Sequence, residues 1–486
     1  MSVPHAFTSL RELEALVQLI NSSFHEIKHA CITQGKDFPF LNEPSTLESE
    51  AIVVSPEVVK AGSVITAAAY QLVAAVRPPT LTLFAQANTY FISSSLGVVI
   101  QAHVPEILRE AGPKGLDIKG IAAPTGINAD KLGHVLRLLA TNHIFREVAP
   151  DVFANNRLSA SLDTGKSVAD ILADPESKYD GTASAAAMIE TMTTDGLLNA
   201  AHFSDVLFNP NLTNSGEPNE TAFNLAFKTD LPYFEWLSKP EQAYKNKRFI
   251  TGMHAGNRIS AQGVILKGES TRFDWKSLPE DSVVVDVAGG VGTQTLTLAK
   301  EFSHLKYVVQ DRASVIEDDA HKFWNAELPE VLSSGRVQLQ AHDIFAPQPI
   351  RGAAVFIVRA IVHDWSDDYC VKFLSQLRAA ATPSTQLIVI DNVIPYACAD
   401  SQPSLDSDVP GAANVRPTAP APLLPNFGAA SLLTYLADIA MLSQLNGQER
   451  TIAQFARLFE RSGWKLVRVH TDGFNYHDIK TIGVPA

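Results

Sequence analysis

A glycine-rich turn after a run of β-branched residues is the first part of the chain whose residue types fit a chemical task. The segment VVVDVAGGVGTQT places Asp286 at the end of a predicted strand and Gly289, Gly290 and Gly292 in the turn that opens the next helix. Because glycines have no Cβ atoms, the backbone N–H groups of this turn can approach a bound ligand closely. A turn of this kind also serves as a plain connection between a strand and a helix, so it does not identify a ligand by itself.

Acidic residues at the ends of the next two predicted strands narrow the choice of ligand. Asp311 lies nineteen residues after Gly292, where a carboxylate can accept hydrogen bonds from both hydroxyls of a ribose. The following strand ends in HDIF, in which Asp343 and Ile344 offer a polar and an apolar contact for an adenine ring. The pattern predicts an adenosine-containing cofactor. Nicotinamide enzymes share this device, so these residues leave open which cofactor it is.

Alternation of apolar runs with helical windows predicts the elements that position these residues. From residue 281 onward, β-branched runs lie at 283–288, 306–310, 336–340, 354–358 and 386–390, with helical patterns between them. This alternation is typical of a parallel sheet covered by helices. Two later runs, at 465–470 and 477–484, are joined by too few residues for a helical crossover, so we expect them to pair antiparallel.

The first 200 residues have the periodicity of helices. Within them, residues 115–160 predict a short helix, a turn to the N-cap Asn128 and a second helix whose apolar face includes Leu132 and Leu139. Two short apolar pairs with turn residues between them follow, as in the wing of a winged helix. A third region, 395–425, is rich in proline, serine and alanine and predicts a surface loop.

Composition limits the possible partners and compartments. A chain of 486 residues with 46% hydrophobic residues predicts two or three globular units. Its formal net charge of −13 repels phosphate backbones, so we expect no nucleic-acid partner. The three cysteines have no metal-ligand or CxxC spacing, which predicts neither a zinc site nor disulfides and fits a cytoplasmic location.

Targeting and membrane segments are not predicted either. The N-terminus lacks the basic start and continuous apolar run of a signal peptide. The longest stretch without charged side chains, Pro78 to Pro105, is interrupted by polar residues. We therefore expect it to form part of the core and not a membrane span.

Taken together, these blocks resemble one enzyme family. The VVVDVAGGVG, HDIF and VRAIVHDWSDD blocks, in this order and spacing, resemble the S-adenosylmethionine-dependent O-methyltransferases of the caffeic acid/hydroxyindole type, particularly their longer fungal relatives in secondary metabolism. LRLLATNHIFREV resembles the winged-helix dimerisation domain of that family, and NGQERTIAQFARLFERSGW resembles its carboxy-terminal signature. The resemblance extends from roughly residue 60 to the end.

The resemblance implies an α/β fold, with a Rossmann-like, mostly parallel sheet that ends in an antiparallel hairpin and is preceded by a helical dimerisation domain. We accordingly divide the chain into a helical extension at 1–60, a dimerisation domain at 61–200 and a catalytic domain at 201–486, with 395–425 as a loop insertion. The implied assembly is a homodimer that binds a small hydroxylated aromatic substrate and no membrane. The implied cofactor is S-adenosyl-L-methionine, which becomes S-adenosyl-L-homocysteine.

The resemblance also implies roles for single residues. His363 in the HDW segment corresponds to the base, and Asp391 and Glu449 correspond to two carboxylates that hold its ring. An imidazole suits this task because a phenol, with a pKa of about 10, is only about one-thousandth ionised at pH 7. No metal is required. The remaining candidates are Asp286, Gly289, Gly290, Gly292, Asp311, Asp343, Ile344, Arg359 and Trp365 for the cofactor, and Met253, Asp438 and Met441 for the substrate.

Several of these residues have a plainer interpretation. Taken alone, His363 at a strand end is more typical of a capping or hydrogen-bonding residue, and Asp391 and Glu449 could equally be solvated caps. Trp365 suits either the core or the cofactor wall. Methionine fills gaps in any core, so Met253 could be a substrate contact or packing.

The chain departs from the family pattern at four positions and in two segments. Ala288 stands where the family usually has glycine, and Arg359 replaces a common lysine. Because arginine keeps the charge, cofactor binding should persist. Asp391 is one methylene shorter than the usual glutamate, and the stretch before Glu449 is one residue shorter, so the geometry around His363 is expected to differ. The 395–425 loop and the first fifty residues exceed the plant enzymes and are expected to alter substrate access or the dimer contact.

Three functions remain in competition at this point. The leading one is methylation of a phenolic or enolic hydroxyl on a small aromatic or polyketide-type metabolite. In the second, the fold retains the cofactor but catalyses pericyclic or elimination chemistry, against which the intact HDW block argues. The third is a DNA-binding regulator, since winged helices enter the major groove, and the net charge of −13 argues against it.

Overall fold

The structure is a computed structural model that describes residues 8–182, 185–260, 264–266, 273–399, 409–412, 415, 418–471 and 478–486. It begins with a long helical hairpin. Helix α1 (Thr8–Gln34) lies against α3 (Pro56–Val76), and the short α2 (Leu47–Glu50) lies in the connection. Leu16 of α1 and Ala68 of α3 are fully buried in this contact. The hairpin therefore has a core of its own.

The next unit contains the predicted helix, turn, helix and hairpin. Its elements are α4 (Pro79–Ala87), α5 (Tyr90–Gln101), α6 (Val104–Ala111), β1 (Leu116–Asp117), α7 (Ile118–Ala122), α8 (Ala129–Thr141), β2 (Arg146–Ala149) and β3 (Val152–Ala154). The Asn128 side chain caps α8 by accepting a hydrogen bond from the N–H of Lys131 at 3.1 Å, as predicted. Leu132 and Leu139 of α8 are fully buried, and β3 pairs antiparallel with both β1 and β2.

Short helices connect this unit to the sheet. They are α9 (Val168–Ala173), α10 (Ala186–Thr191), α11 (Leu197–Ala201), α12 (Phe203–Leu207), α13 (Ala222–Phe227), α14 (Tyr233–Leu237) and α15 (Ala243–Ser260). A single π-helical turn, Met192–Gly196, joins α10 to α11. Helix α15 packs against α10, and Arg248 of α15 forms buried ion pairs with Glu190 and Asp195. These contacts join the amino-terminal helices to the segment that leads into the sheet.

The catalytic sheet has the seven strands predicted from the sequence. They are β4 (Val283–Val287), β5 (Lys306–Asp311), β6 (Val337–Ala341), β7 (Val355–Arg359), β8 (Gln386–Asp391), β9 (Trp464–His470) and β10 (Ile479–Pro485), in the order β6-β5-β4-β7-β8-β10-β9. Strands β4 to β8 pair in parallel, and β10 pairs antiparallel with both β8 and β9. The mostly parallel sheet with an antiparallel carboxy-terminal hairpin is therefore confirmed, apart from position 477, which lies outside the described residues.

Helices cover both faces of this sheet. They are α16 (Thr293–Glu301), α17 (Ala313–Val315), α18 (His321–Glu327), α19 (Pro329–Ser333), α20 (Asp367–Ala380), α21 (Leu432–Leu445) and α22 (Ile452–Arg461). Val285 and Val287 belong to the core on one face, whereas Val284 between them belongs to the core on the other. Because both faces are buried, the inner strands β4, β7 and β8 are almost continuously apolar instead of alternating.

The structure corrects the expectation that the whole charge-free stretch Pro78–Pro105 lies in the core. Only its second half, from α5 to the start of α6, contributes to the core. Helix α4 has no buried residue, and its Leu83 and Phe84 are mostly exposed in the described part of the chain. Among the described residues, three helical stretches are long and apolar enough in composition to cross a membrane: Pro56–Val76, Pro79–Gln101 and Gly428–Leu445.

The structure also corrects the expectation that the proline-rich region 395–425 is a surface loop. Positions 400–408, 413–414 and 416–417 lie outside the described residues. Of the remainder, Ala412 and Val415 are buried in the core under the sheet, and Ala419 and Leu423 are buried against α1 and α3. The described parts are therefore not a simple surface loop. Their small and apolar side chains find helices to pack against, which composition alone did not indicate.

Candidate active site

The parallel strands bring most of the candidate residues to one edge of the sheet. Asp286 and Asp311 lie near or at the carboxyl ends of β4 and β5, Arg359 ends β7, and Asp391 ends β8. His363 follows β7 in the single turn Val362–Asp364. The carboxyl edge of an open α/β sheet is where such folds bind their ligands. The topology thus collects residues that are distant in sequence.

The glycine turn after β4 needs its glycines. Gly290 and Gly292 have φ angles of +60° and +84°, in the left-handed region that other residues rarely adopt. A Cβ atom on Gly292 would also lie 2.8 Å from Val309 Cγ2, and one on Gly289 would lie 2.4 Å from Asp286 Cγ. The turn is therefore a close-fitting cradle at the start of α16, and it suits the backbone approach that an adenosine cofactor requires.

The Asp286 side chain packs against Gly289 of this turn. Its carboxylate is almost fully buried and accepts a hydrogen bond from the Thr295 hydroxyl at 2.7 Å. Burial raises the pKa of Asp286 to about 6, an effect that the Thr295 hydrogen bond and the positive charge of Arg359 partly offset. Its described contacts are thus with Gly289 of the turn and with Thr295 of α16.

Asp311 lies beside the glycine turn and is held there by backbone hydrogen bonds. One carboxylate oxygen accepts the N–H of Gly290 and the other accepts the N–H of Arg312, both at 2.8 Å. Burial raises the pKa of Asp311, and these two backbone hydrogen bonds oppose the shift. Two backbone contacts fix the carboxylate beside the glycine turn, where its remaining lone pairs can accept ribose hydroxyls.

The segment after β6 has the turn expected for an adenine contact. Asp343 accepts the N–H of Phe345 at 3.0 Å, which holds the turn, and Ile344 packs at the edge of the core. Together with Asp311 and the glycine cradle, these residues fit an adenosine cofactor. When bound, S-adenosylmethionine supplies an electrophilic methyl group and a positive sulfonium charge, which lowers the pKa of a neighbouring imidazole.

Replacing Asp311 with asparagine is expected to weaken S-adenosylhomocysteine binding about 10- to 100-fold, because hydrogen bonds to a charged group contribute about 1.5–3 kcal/mol. Isothermal titration calorimetry measures this change directly. Asp281→Asn is the matched control, since Asp281 is exposed and precedes β4 at the opposite edge of the sheet. Equal affinities of the two variants would remove Asp311 from the cofactor site.

Arg359 is already engaged by an acid that sequence reasoning missed. Its Nε and Nη2 atoms lie 3.0 and 2.8 Å from the same oxygen of Asp478, and both side chains are almost buried. The ion pair ties the end of β7 to the start of β10. No sequence signal indicated it, since the two residues are separated by 119 positions. Arg359 remains near Asp286, at the side of the cradle where the family places its cofactor-contacting lysine.

Three predicted residues meet at His363. The Nδ1 atom of His363 lies 3.0 Å from Glu449 Oε1 and 3.9 Å from Asp391 Oδ1. The adjacent Asp364, which was not predicted, has its Oδ1 atom 3.5 Å from Nε2 of the same ring. The neutral imidazole therefore has a carboxylate that can orient it through Nδ1–H, which leaves the Nε2 lone pair as its basic atom.

Neighbouring segments hold this arrangement in place. The carbonyl of His363 accepts the N–H of Gln448 at 2.9 Å, and Glu449 Oε1 accepts the side-chain amide of Asn392 at 2.8 Å. Asp438 of α21 accepts the N–H of Glu449 at 2.8 Å. Asp438 was predicted as a substrate residue, but its described contact is with the backbone that carries Glu449. Asn392 was missed, although it directly follows Asp391.

The carboxylates change the acidity of the whole cluster. Burial lowers the pKa of His363, but Asp391, Asp364 and Glu449 outweigh it and raise the pKa to about 10. Burial raises the pKa of Asp391 to about 7 and that of Asp364 to about 6. Neither oxygen of Asp391 has a hydrogen-bond partner among the described residues. The three carboxylates thus favour the protonated form of the imidazole.

The other candidates lie in packing contacts. Met441 packs on the aromatic cluster around Trp236, and Met253 of α15 is 36% exposed. The Trp365 ring stacks on Tyr369 with centroids 5.6 Å apart and meets Phe345 edge-on at 4.9 Å. Among its described contacts, Trp365 is thus a packing residue next to the adenine segment. Met253 keeps the substrate-side assignment as a prediction.

Comparison with known proteins identifies the family. Residues 213–410 match the O-methyltransferase domain, and residues 84–164 match the O-methyltransferase dimerisation domain. An O-methyltransferase of Armillaria gallica is 42% identical over 479 residues, which cover 97% of this chain and 99% of that protein. A protein of Phanerochaete chrysosporium named 4-O-methyltransferase 1 is 40% identical over 458 residues, which cover 94% of this chain and 95% of that protein.

Solved structures share the fold at lower identity. CalO1, a methyltransferase in calicheamicin biosynthesis with bound S-adenosylhomocysteine, gives a TM-score of 0.56 at 24% identity over 84% of this chain and 98% of its own. A pericyclic reaction enzyme gives 0.63 at 16% identity over 88% and 94%. At such identities the likeness shows the fold alone. With both domains matched and relatives of 40% and 42% identity over nearly their whole length, the chain belongs to the S-adenosylmethionine-dependent O-methyltransferase family.

Proposed function

We propose that this enzyme methylates a phenolic or enolic hydroxyl of a small aromatic or polyketide-type metabolite and that His363 is its general base. The observation that carries the proposal is the 3.0 Å contact between His363 Nδ1 and Glu449, which orients the ring and leaves Nε2 as its basic atom. The relative named a 4-O-methyltransferase supports a hydroxyl acceptor of this kind.

The proposed proton path uses the chain's own groups. Nδ1–H of the neutral ring donates to Glu449, and Nε2 accepts the proton of the acceptor hydroxyl. The resulting imidazolium is stabilised by Glu449 and by Asp391, 3.9 Å from Nδ1. Asp364 lies beside Nε2, where it can hydrogen-bond a second hydroxyl of the acceptor. Because these carboxylates favour the protonated ring and the sulfonium charge of the cofactor opposes them, we expect cofactor binding to precede deprotonation of the acceptor.

The pH dependence tests this arrangement. Replacing Glu449 with glutamine removes an anion that raises the pKa of His363, so the pKa should fall. The active form is the neutral imidazole, which exists above its pKa. The rising limb of kcat/KM against pH should therefore move to lower pH by about one unit. Using one phenol for both enzymes cancels the acceptor's own ionisation.

Glu327→Gln is the control for that experiment, because Glu327 is an exposed carboxylate paired with Lys300 on the outer surface. Its rising limb should coincide with that of the wild-type enzyme. If the Glu449→Gln limb also coincides with the wild type, the ionisation that limits the rate does not belong to His363.

The activity itself is tested by incubating the enzyme with methyl-labelled S-adenosylmethionine and a panel of phenols, catechols and enolic polyketides. Label in a product methyl ether supports the proposal. Conversion of an acceptor without label transfer, with the cofactor still bound, supports the alternative of redirected pericyclic or elimination chemistry. Salt-sensitive retention of duplex DNA would support the regulator hypothesis instead.

A homodimer is part of the proposal. The chain carries the family's dimerisation domain, and α4 exposes Leu81, Leu83 and Phe84 in the single chain. Large exposed apolar patches of this kind are typical of protein interfaces. Light scattering at micromolar protein concentration should give about twice the chain mass of 52.6 kDa. A mass of one chain under those conditions would contradict the dimer.

A further inference from the structure

The amino-terminal hairpin of α1 and α3 packs on a segment of the catalytic domain. The 418–427 segment, which includes the end of the proline-rich region and precedes α21, buries Ala419, Leu423 and Phe427. These side chains form one apolar cluster with Leu16 of α1 and Ala68 of α3. Residues that the sequence separates by about 350 positions therefore share a core, and small alanines allow the close approach.

A hydrogen bond fixes the register of this contact. The side-chain amide of Gln71 on α3 donates to the carbonyl of Pro422 at 3.0 Å and to Glu12 Oε1 of α1 at 3.2 Å. One side chain thus connects both helices of the hairpin to the backbone of the 418–427 segment. The contact is specific in position and not only an apolar surface.

Phe427 shows that the segment depends on this packing. Its φ angle is +60°, in the left-handed region that a bulky side chain enters only at a cost in free energy. Its ring is 1% exposed and belongs to the cluster with the hairpin. Because a strained backbone persists only where its surroundings hold it, removing the hairpin contact should allow Phe427 to relax.

The 418–427 segment leads directly to the catalytic residues. After Phe427 a single turn, Gly428–Ser431, opens α21. The side-chain amide of Asn426 donates to the Tyr435 hydroxyl at 2.9 Å, and that hydroxyl donates to the carbonyl of Pro395, which follows β8. Further along α21, Asp438 accepts the N–H of Glu449, and α21 also contacts the turn that carries His363.

The opposite end of the hairpin is anchored to the dimerisation domain. Arg157 forms two hydrogen bonds with Glu50, at 2.7 and 2.6 Å, and its N–H donates to the carbonyl of Leu41. Arg157 lies within the region that matches the family's dimerisation domain. The hairpin and its connection therefore span from one domain to the other.

We propose that the α1–α3 hairpin is a strap that fixes the 418–427 segment and the start of α21, and that Gln71 and Ala68 are positioning residues for acceptor binding. The proposal rests on the proposed function, because it assigns α21 to the acceptor side of the His363 site. It gives the amino-terminal hairpin and the end of the proline-rich region a joint task. Through this contact, the strap sets acceptor affinity without taking part in methyl transfer.

The first test replaces Gln71 with leucine, which keeps the size of the side chain and removes its bond to Pro422. Loss of one hydrogen bond of this kind should raise the KM of a phenol that the wild type methylates about 2- to 10-fold. kcat and the calorimetric Kd of S-adenosylhomocysteine should stay within about twofold. Ser63→Ala is the control, since the Ser63 hydroxyl donates to the carbonyl of Val59 in its own helix.

Hydrogen–deuterium exchange tests the strap without an acceptor. Gln71→Leu should speed exchange in peptides that cover 423–435, and Ala68→Glu, which places a charge in the fully buried contact, should speed it further. If Ala68→Glu does not fold, Gln71→Leu decides. Unchanged exchange, or kcat and KM that fall and rise together with a loss of thermal stability, overturns the strap. If the wild type methylates no phenol, the proposed function fails, whereas the exchange result still decides the strap.

Discussion

Alanine in place of His363 is expected to reduce kcat for methyl transfer about 10²- to 10⁴-fold, the usual contribution of a positioned general base. Without the imidazole, the acceptor hydroxyl would keep its proton at neutral pH. Among the described residues, no other side chain could replace a ring that Glu449 Oε1 orients from 3.0 Å. Affinity for S-adenosylhomocysteine should stay within about twofold, because the cradle lies on the preceding strands. Steady-state kinetics and calorimetry on the same preparation separate the two effects.

The matched control for this experiment is His202→Ala. His202 is exposed and pairs with Asp205 within its own helical segment. It should retain wild-type kcat. If His363→Ala keeps more than a tenth of the wild-type kcat, proton transfer to His363 is not the step that limits catalysis. If it also loses S-adenosylhomocysteine binding, the substitution has disturbed the fold and not the base alone.

Gly447→Ala should also reduce kcat strongly, although Gly447 has no side chain that could take part in the reaction. A Cβ atom there would lie 2.1 Å from the carbonyl oxygen of His363 and 2.8 Å from the carbonyl carbon of Asp364. Both are backbone atoms, so the turn that bears the base must move, and the hydrogen bond from Gln448 N–H to His363 would be lost. A displacement of about 1 Å at a reacting group costs about 10²-fold in rate.

The measurement is kcat with saturating cofactor and acceptor, accompanied by the Kd of S-adenosylhomocysteine. Gly62→Ala is the control, because among the described residues no atom outside the adjoining helix backbone lies within 4 Å of the added Cβ, and alanine favours the helix there. Its kcat should equal that of the wild type. A Gly447→Ala enzyme with normal kcat would show that the 447–450 turn is free to move without carrying His363 along.

The sheet was predictable because its strands are apolar on both faces. Runs such as VVVDV and QLIVI are easy to recognise in the sequence because helices bury both faces of the sheet. Val284 and Val285 indeed belong to the cores on opposite faces. Because these strands are parallel, their carboxyl ends all lie at the same edge of the sheet. The positions of Asp311 and the glycine turn therefore followed from the sequence alone.

The base cluster was predictable only in part. His363 and Glu449 are 86 residues apart, and no local pattern brings them together, so their meeting was inferred from the family resemblance. Asp364 and Asn392 are direct neighbours of predicted residues and could have been found by asking what flanks each of them. Asp478 had no such signal, because its ion pair with Arg359 depends on where the last strand enters the sheet.

Long-range packing also explains the two wrong expectations. Proline and serine content indicated a surface loop at 395–425, but the apolar residues between them, such as Ala419 and Leu423, pack on the first helices of the chain. Helix α4 was expected in the core because it lacks charges. A helix without charged residues is expected to be buried, but its composition does not show whether residues of the same chain bury it.

The position of β10 bears on how the enzyme is made. This strand comes last in the chain yet lies inside the sheet, between β8 and β9. Until residues after 479 leave the ribosome, β8 has an unpaired backbone edge immediately before Asp391, and Arg359 lacks Asp478. An unpaired edge of this kind invites aggregation. Nascent chains should therefore remain inactive until β10 has been synthesised and has paired with β8.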